Sequence, residues 1–398
     1  MPLILAINPG STSTKIAVYD DASPVFTENI AHAREDQALY HAVTDQYLFR
    51  LEPILAALEK HHTPLAGLDV VVGRGGLLPP LESGAYLVDD NMLDYLRRAP
   101  RGEHASNLGA FLARGIADKV GIKAYIYDPV TVDEMIPVAR VTGLPAIQRR
   151  CMAHNLNMRA CAIKYAEERG KNYADLTLIV GHLGGGFSFT LHDHGRIVDM
   201  VSDDEGPFSP ERIGGVPAFA LMGYVLESGR DARAFMRQFR GQSGLFAHCG
   251  TTNAREVEQR IAEGDAQAAL VYEAMILNIA KALAALSTVV CGRAEAIILT
   301  GGLAHSEMII EQVAKRVRHI APVVCMPGEN EMAALAAGAL RVLRGTEEAK
   351  LFPEKADAAP QSRLTLKCFT FQSVHSAEKC DLRLNPRHVV ARCTFVQR

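Results

Sequence analysis

The sequence predicts an α/β protein whose two similar halves face each other across a ligand-binding cleft. The chain opens as a strand, a tight polar loop and a second strand over residues 3–20, with a further strand at 24–28. The same order of strand, loop, strand and strand returns over residues 176–200, which indicates an internal duplication. Strands and helices alternate through most of the remaining chain, a pattern typical of the α/β class.

The first loop has the composition of an anion-binding turn. It reads Asn8-Pro9-Gly10-Ser11-Thr12-Ser13-Thr14-Lys15. Small residues let backbone N–H groups approach an anion closely, the hydroxyls add donors and the lysine adds positive charge. The pattern differs from the Walker A loop, which requires G-x-x-x-x-G-K-[ST] ahead of a helix. By itself the loop fits either a phosphate-holding hairpin or a tight surface hairpin without a ligand.

Two more glycine-rich loops follow predicted strands. The first is Gly184-Gly185-Gly186, after the strand at 176–183, and the second is Gly301-Gly302, ahead of a helix predicted from Ser306. Glycines there let a flat base or ribose lie against the backbone, and a nearby helix N-terminus favours anions. Three such loops in a duplicated pattern favour a nucleotide or polyphosphate cleft over three turns without a ligand.

The composition is that of an ordinary soluble enzyme. The chain has 398 residues, 48% hydrophobic and 22% charged, enough to bury the cores of two domains. The net charge of −3 gives no reason to expect nucleic acid or an anionic membrane as a partner. We expect no secretory signal, since the chain enters a strand without a basic segment. The apolar stretch 266–290 is interrupted by polar residues, so we expect a core helix there rather than a membrane span. Eight cysteines without C-x-x-C pairs favour reduced thiols and a cytoplasmic location.

Hydrophobic periodicity predicts the remaining elements in chain order. Strands are expected at 68–72, 123–127, 297–300 and 323–326, and helices at 37–60, 91–97, 104–120, 149–169, 253–263, 266–290, 306–317 and 331–344. Pro145 and the polar run 148–150 indicate a domain boundary near residue 147. The last helix is expected to return to the first domain, which would couple the two halves as a hinge.

The chain after about residue 350 differs from the rest. Residues 352–362 have the composition of a linker, and residues 351–398 carry 8 of the 42 Lys and Arg but only 4 of the 45 Asp and Glu. Three cysteines and two histidines allow a zinc interpretation, although their spacing fits no compact ligand pattern. They are Cys368, His375, Cys380, His388 and Cys393. A poorly packed tail is the expectation.

Charged side chains at the ends of predicted strands are the candidates for chemistry, because the sites of α/β proteins form there. They are Arg74, Asp128, His182, Arg212, Glu329 and Glu331. Taken singly, a surface charge, a helix cap or a hydrogen-bonded core histidine would explain most of them.

Four segments together resemble one known family. The opening Ile7 to Lys15 resembles that of the butyrate kinases, within the acetate/butyrate kinase family. The segments that stand in the order of that family are His182-Leu183-Gly184-Gly185-Gly186, Thr300-Gly301-Gly302 and Pro327-Gly328-Glu329-Asn330-Glu331. The resemblance covers about residues 3–350. It implies duplicated ribonuclease H-like (actin-like ATPase) domains flanking a cleft, as in the superfamily of acetate and sugar kinases, Hsp70 and actin.

A domain plan follows from the resemblance. Residues 1–147, together with about 331–350, would form an N-terminal actin-like ATPase domain. Residues 148–330 would form a C-terminal nucleotide-binding domain. Residues 351–398 would remain a poorly packed C-terminal tail.

The resemblance assigns roles to the polar residues of the cleft. Arg74 and Arg212 match two active-site arginines, whose rigid forks would neutralise a dianionic phosphoryl group. His182 matches a histidine that hydrogen-bonds the phosphoryl oxygens, and His104 matches one that supports the site. Asp128 matches the carboxylate that positions metal and substrate.

The remaining assignments concern the nucleotide and the metal. The resemblance implies that Asn8, Ser11, Ser13 and Lys15 lie near the transferring phosphoryl group. The glycines that would contact the nucleotide are Gly184, Gly185, Gly186, Gly301 and Gly302. Oxygen ligands for Mg²⁺ would come from Asn8, Asp128 and Glu331, or from Glu329 if the local alignment slips by two residues.

The activity implied is reversible in-line phosphoryl transfer from ATP to butanoate, giving butanoyl phosphate and ADP, in a cytoplasmic homodimer or larger homo-oligomer. Acetate kinases carry bulkier residues where this chain has Gly75 and Gly76, which predicts a roomier acyl pocket unless Leu77 and Leu78 refill it. Acetate, propionate and isobutyrate are alternative substrates, because one methylene discriminates by only about 1–3 kcal/mol. A non-acyl ATPase or nucleotide sensor of the same superfamily is the alternative from another class.

Overall fold

The structure is a computed structural model that describes residues 1–353. The predictions for the rest of the tail, including the zinc alternative, lie outside the described residues. The strands in this part of the chain are β1 (Leu3–Pro9), β2 (Ser13–Asp20), β3 (Ser23–Ala31), β4 (Val70–Arg74), β5 (Ala85–Leu87), β6 (Lys123–Tyr127), β7 (Thr177–Leu183), β8 (Phe187–Asp193), β9 (Arg196–Val201), β10 (Ala296–Gly301) and β11 (Val323–Pro327).

Helices connect these strands. The α-helices are α1 (Arg34–Gln37), α2 (Tyr47–Lys60), α3 (Asp90–Arg98), α4 (Leu108–Ala117), α5 (Pro137–Arg140), α6 (Asn155–Glu167), α7 (Ala218–Ser228), α8 (Ala232–Phe239), α9 (Leu245–Cys249), α10 (Ala254–Ala262), α11 (Ala266–Val289), α12 (Glu307–Val317) and α13 (Glu331–Leu343). Short 3-10 turns occupy Val43–Gln46, Leu65–Gly67, Ala105–Asn107, Tyr173–Asp175 and Gly302–His305.

Two sheets with the same strand order organise the described chain. The first runs β3-β2-β1-β4-β6-β5 and the second β9-β8-β7-β10-β11. In each sheet three antiparallel strands continue into parallel ones: β1 is parallel to β4 and β4 to β6, just as β7 is parallel to β10 and β10 to β11. The second sheet thus repeats the first five strands of the first, which confirms the predicted α/β fold with an internal duplication.

Helices cover both faces of the first sheet, because its parallel strands are apolar on both sides. On β1, Leu5 and Ile7 belong to the core cluster that contains Ile54 of α2. The alternate residue Ile4 belongs to the opposite cluster, which contains Leu335 of α13. The last helix of the described chain therefore packs on the sheet formed by the first third of the chain.

The second sheet is also covered on both faces. Ile179 and Leu299 pack in one cluster with Leu283 of α11, and Val180 and Ile298 pack with residues of α6. By length and composition the 24-residue helix α11 could cross a membrane, but half of its most apolar window is buried inside the protein. The sequence prediction of a core helix is therefore confirmed.

Some boundaries differ from the sequence prediction. The helix expected at 149–169 begins only at Asn155, because Arg149 is held at the second sheet by ion pairs of 2.9 Å with Asp199 and with Glu205. Phe352, which the sequence places in the tail, is 4% exposed and packs in the core of the first sheet. The helix expected at 37–60 begins only at Tyr47. Helices α1, α5 and α7 to α9 and strand β5 are not predicted by the sequence. The domain boundary near residue 147 stays a prediction.

Candidate active site

Two neighbouring strands and the start of α13 bring three polar side chains together. Because β1 and β4 are parallel neighbours, Asn8 and Arg74 lie at the same edge of the sheet. Arg74 Nη1 is 2.8 Å from Glu331 Oε1 and 3.4 Å from Asn8 Oδ1. Asn8 Nδ2 donates to Glu331 Oε2 at 2.5 Å. The Arg74 and Glu331 side chains are 21% and 20% exposed, so a ligand can reach this ion pair.

The opening loop lies beside this cluster. Lys15 on β2 pairs directly with Asn8 on β1, so the two side chains share one face of the sheet. Ser11 and Lys15 are exposed and Ser13 is half-buried. The buried Arg50 donates to two carbonyl groups of the loop, at 2.8 and 3.4 Å. Sequence analysis missed this support, because Arg50 comes from α2 and carries no local signal.

Two histidines stack at the end of β7. The ring centroids of His154 and His182 are 3.9 Å apart and the ring planes are 11° from parallel. His182 Nε2 lies 3.2 Å from Glu329 Oε1, but outside hydrogen-bond geometry, and it has no hydrogen-bond partner among residues 1–353. Buried polar atoms normally have a partner, so this nitrogen points to a position where a ligand group belongs. The contact with His182 lowers the pKa of Glu329.

His154 is a site residue that sequence analysis missed. Burial, and then the adjacent His182, lowers the pKa of His154 to about 3, and the charges of Arg74 and Arg212 contribute to the lowering. The charges of both arginines therefore reach this ring, although Arg74 ends a strand of the first sheet and Arg212 follows the last strand of the repeat. In the sequence His154 precedes α6 and lies next to no glycine loop or strand end. Only its contacts with residues far along the chain show that it belongs to the site.

The glycine loop after β7 leaves room for the histidines. A Cβ on Gly184 would lie 2.9 Å from His182 Nε2, closer than such contacts allow. Gly185 and Gly186 complete the loop, and a Cβ on Gly186 would lie 3.4 Å from Arg212 Cγ. The loop therefore passes between the histidine stack and the second arginine.

Arg212 is positioned by three acceptors. Its Nε donates to Asp203 Oδ2 at 3.2 Å, and its Nη1 donates to Glu211 Oε2 at 3.2 Å and to the Arg240 carbonyl at 2.7 Å. The side chain remains 25% exposed. Its neighbours thus fix the guanidinium while leaving part of it accessible to an anion.

Asp128 has a different set of partners. Its carboxylate is 3.1 Å from Arg159 Nη1 and accepts from the Gly84 amide at 2.6 Å. The side chain is 1% exposed, and burial raises its pKa. Asp128 follows Tyr127, which pairs with Arg74 in the sheet, but no hydrogen bond or ion pair within residues 1–353 joins its carboxylate to Arg74 or Glu331. Its place among the oxygen ligands of the metal stays a prediction.

His104 precedes the turn Ala105–Asn107 and is near enough to Arg74 to feel its charge. Its Nδ1 is 2.7 Å from Ser106 Oγ and accepts from Ser106 N at 3.2 Å, which caps the turn Ala105–Asn107. Burial, and then the charge of Arg74, lowers the pKa of His104. A lowered pKa favours a neutral ring near the first arginine.

The two glycines after β4 do not open an acyl pocket. A Cβ on Gly75 would lie 2.5 Å from Pro129 Cβ, and one on Gly76 would lie 2.6 Å from Asn107 Cα. Leu78 is fully buried in the core. The expectation of a roomier pocket at these glycines is therefore wrong, because they are needed for close backbone packing.

The third glycine loop borders a cavity of about 440 Å³. Gly301 has a φ of 91°, and a Cβ there would lie 2.5 Å from the Leu183 carbonyl oxygen, so the position requires glycine. Gly301 also exchanges backbone hydrogen bonds of 3.2 and 3.0 Å with Gly328. The lining of the cavity includes Arg255, Glu258, Gly302, Leu303 and Ser306.

The oxygen donors beside Arg74 fit Mg²⁺. Asn8 and Glu331 offer an amide oxygen and a carboxylate, the hard ligands that this ion prefers. Glu329 points instead to the histidine stack, 3.2 Å from His182. No group of three or more His, Cys, Asp or Glu side chains in residues 1–353 forms a complete metal site. Asn8 and Glu331 would therefore hold the ion together with oxygens of a ligand and water.

Comparisons with known proteins agree with this fold. The acetokinase family model matches residues 144–334. Butyrate kinase 1 of Clostridium acetobutylicum is 45% identical over 349 residues, which are 87% of this chain and 98% of that protein. The crystal structure of Porphyromonas gingivalis acetate kinase superposes with a TM-score of 0.71 at 17% identity, covering 86% of this chain and all of that one.

A propionate kinase structure from Francisella tularensis gives a TM-score of 0.67 at 17% identity, over 85% of this chain and 99% of that one. These two structures share the fold, and the Clostridium relative confirms the resemblance predicted from the sequence. The chain belongs to the acetokinase family, the family of the acetate and butyrate kinases.

Proposed function

We propose that the chain is a butyrate kinase, which transfers the γ-phosphoryl group of ATP to butanoate and gives butanoyl phosphate and ADP in a reversible reaction. The observation that carries the proposal is the 45% identity with Butyrate kinase 1 over 98% of that relative. The site supports it, because the Arg74 and Arg212 side chains are 21% and 25% exposed and the charges of both lower the pKa of His154. Two accessible guanidinium groups suit a phosphoryl group.

The reaction needs alignment more than proton transfer. A carboxylate oxygen of butanoate attacks the γ-phosphorus while the bond from phosphorus to the bridging oxygen of ADP breaks. The nucleophile is already ionised at neutral pH, so no general base is required. Arg74, Arg212 and His182 Nε2 would stabilise the charge that spreads over the phosphoryl oxygens in the transition state.

Asn8 and Glu331 are the proposed protein ligands of Mg²⁺, which would neutralise phosphate oxygens when bound with ATP. Ser11, Ser13 and Lys15 of the opening loop would hold the phosphates by hydroxyl and ammonium donors.

The loops of the second sheet would hold the remainder of ATP. The glycine loop after β7 would lie along the phosphates, and the cavity beside Gly302 would bind the adenosine. This cavity offers both polar and apolar contacts, since Ser306 Oγ donates to Glu258 Oε1 at 2.5 Å on one side and Leu303 lines the other.

Two residues would act in support. His104 would keep Arg74 in place without adding charge. Asp128 would fix Arg159 on α6, and it would have to leave this ion pair of 3.1 Å to reach a substrate or metal.

We further propose a cytoplasmic homodimer or larger homo-oligomer that works on small molecules rather than on nucleic acid or membranes. The family resemblance supports the assembly, and the net charge of −3 supports the absence of polyanionic partners.

The test is acyl-phosphate formation from Mg-ATP and carboxylic acids of increasing chain length, trapped with hydroxylamine. The proposal predicts the highest kcat/KM for butanoate. A maximum for acetate, propionate or isobutyrate would keep the carboxylate kinase and overturn the choice of substrate. ATP hydrolysis that no acid changes would favour a non-acyl ATPase or nucleotide sensor.

A further inference from the structure

Asn157 of α6 lies at the centre of a buried hydrogen-bond network behind the histidine stack. Its Nδ2 is 3.1 Å from His182 Nδ1 and 3.1 Å from Thr300 Oγ1. Its Oδ1 accepts from the backbone N–H of Asn330 at 3.4 Å. Asn157 and Thr300 are 2% and 0% exposed, so water cannot replace these contacts.

The directions of these hydrogen bonds are fixed by the groups at the ends of the network. The Asn330 N–H can only donate, so the Asn157 atom that faces it must be the amide oxygen. Thr300 Oγ1 donates to the Gly328 carbonyl at 3.1 Å, so it accepts from Asn157. The Asn157 NH₂ group is therefore turned to His182 and donates to Nδ1.

We infer that Asn157 is a positioning residue that holds His182 in the tautomer in which Nδ1 is unprotonated and Nε2 carries the proton. An imidazole nitrogen that accepts a hydrogen bond carries no proton, so the proton of the neutral ring lies on the other nitrogen. That nitrogen is the buried Nε2, which has no hydrogen-bond partner in residues 1–353 and lies beside Gly184 and 3.2 Å from Glu329 Oε1. Asn157 thus makes His182 a hydrogen-bond donor toward the ligand position.

The same network connects His182 to the loop after β11, which carries Glu329 and Glu331. Asn330 lies between these two glutamates, and Gly328 begins the loop. The Asn157 amide of α6 therefore contacts His182 and holds this loop through Asn330 and Thr300. Only the consequence for phosphoryl transfer rests on the proposed function. The tautomer itself follows from the contacts.

The tautomer can be read directly from ¹⁵N-histidine-labelled protein by long-range ¹H–¹⁵N correlation, with the His182 signals assigned from their loss in His182→Gln. We expect the wild-type protein to show Nδ1 without a proton and Nε2 with one. Asn157→Asp keeps the size of the side chain but turns the donor into an acceptor, so Nδ1 should become protonated. A wild-type His182 with its proton on Nδ1, or an unchanged tautomer in Asn157→Asp, would overturn the inference.

Activity supplies the second readout. Asn157→Asp should lose about a hundredfold or more in kcat, the loss typical when one preorganised donor is removed, in a protein that circular dichroism shows to be folded at the assay temperature. Asn172→Asp makes the same change at an exposed cap outside the network and should alter neither readout.

Thr300→Val removes the other partner of the Asn157 amide, keeps the contact to His182 and should preserve the tautomer. A changed tautomer in this variant would count against Asn157 as its cause. If the wild type shows the expected tautomer and phosphorylates no acid, the proposed function fails and the assignment of Asn157 stands.

Discussion

At the scale of single residues, Arg74 contacts both Glu331 and Asn8 from the end of β4. We predict that Arg74→Ala lowers kcat/KM for butanoate by about a hundredfold or more, because a preorganised cation at the phosphoryl site is lost. The fold should remain, since the side chain is 21% exposed and lies outside the core. Steady-state kinetics and circular dichroism measure the two effects.

Arg97→Ala is the matched control for Arg74→Ala. This arginine also forms an ion pair with a carboxylate, Asp94, but its side chain is 59% exposed on α3. Activity within twofold of the wild type is expected. An Arg74→Ala protein that is as active as Arg97→Ala would remove Arg74 from the proposed site.

His192 gives a prediction about acid stability. It is fully buried between Tyr173 Oη at 2.7 Å and Thr190 Oγ1 at 2.8 Å, and burial lowers its pKa from 6.5 to about 3. Below pH 6.5 the unfolded chain binds a proton here and the folded protein does not. The free energy of unfolding should therefore fall as the pH drops from 6.5 toward 3, by up to about 1.4 kcal/mol per pH unit from this group.

Chemical denaturation of His192→Gln between pH 6.5 and 4.5 checks this. The variant should show a shallower pH dependence than the wild type, because glutamine takes up no proton in either state. His194→Gln is the control, since His194 is an exposed neighbour in the same strand turn. Equal slopes for the wild type and His192→Gln would contradict the burial argument.

The site residues predicted from the sequence lie where a strand or helix ends, whereas the missed ones are identified only by contacts between elements. Arg74, His182 and Glu331 lie at strand or helix ends, where the periodic pattern stops and local sequence marks the position. His154 and Asn157 lie at the start of a helix and act through contacts with β7 and the loop after β11. Such contacts depend on how α6 docks, which no local pattern encodes.

At the scale of elements, α13 packs on the first sheet through a glycine. A Cβ on Gly338 would lie 2.5 Å from the ring of Tyr127, which is itself fixed by Arg159 and Arg341. We predict that Gly338→Ala destabilises the protein by about 1–3 kcal/mol, since overpacking a tight contact costs this much. Denaturant unfolding measures it.

Gly223→Ala in α7 separates packing from helix propensity. This glycine is also inside a helix, but a Cβ there would have no atom within 4 Å among the described residues. The substitution should be neutral or stabilise by up to about 1 kcal/mol, the preference of a helix for alanine over glycine. Destabilisation of equal size at both positions would show that the close approach of α13 is not the cause.

Element boundaries show where local pattern is insufficient. Hydrophobic periodicity predicts a helix over 149–169 that includes the stretch 149–154. In the structure Arg149 instead binds Asp199 and Glu205, and α6 starts afterwards. The central strands of the repeat, β1 and β7, were predicted well, because their apolar runs are buried on both faces and leave a signal in the sequence itself.

At the scale of the whole molecule, the end of the described chain is part of the first core. Phe352 is 4% exposed and its ring lies 5.6 Å from that of Tyr95. We predict that Phe352→Ala lowers the free energy of unfolding by about 3–5 kcal/mol, as for other buried phenylalanines. Leu351→Ala, at a side chain that is 69% exposed, should change it by less than about 0.5 kcal/mol.

A Phe352→Ala protein as stable as Leu351→Ala would show that the chain end is not anchored at Tyr95. The burial of Phe352 could not be predicted from composition, because one core side chain does not change the linker-like composition of residues 352–362. The fold class and the duplication, in contrast, could be predicted, since both sheets repeat one hydrophobic pattern along the chain.

Phosphoryl transfer to butanoate is tested most directly by the stoichiometry of one reaction mixture that contains the protein, Mg-ATP, butanoate and hydroxylamine. We expect one butanoyl hydroxamate for each ADP released, with ADP release falling to background when butanoate is left out. ADP release that proceeds without any carboxylate, or that exceeds the hydroxamate formed, would contradict direct phosphoryl transfer to the acid at this site.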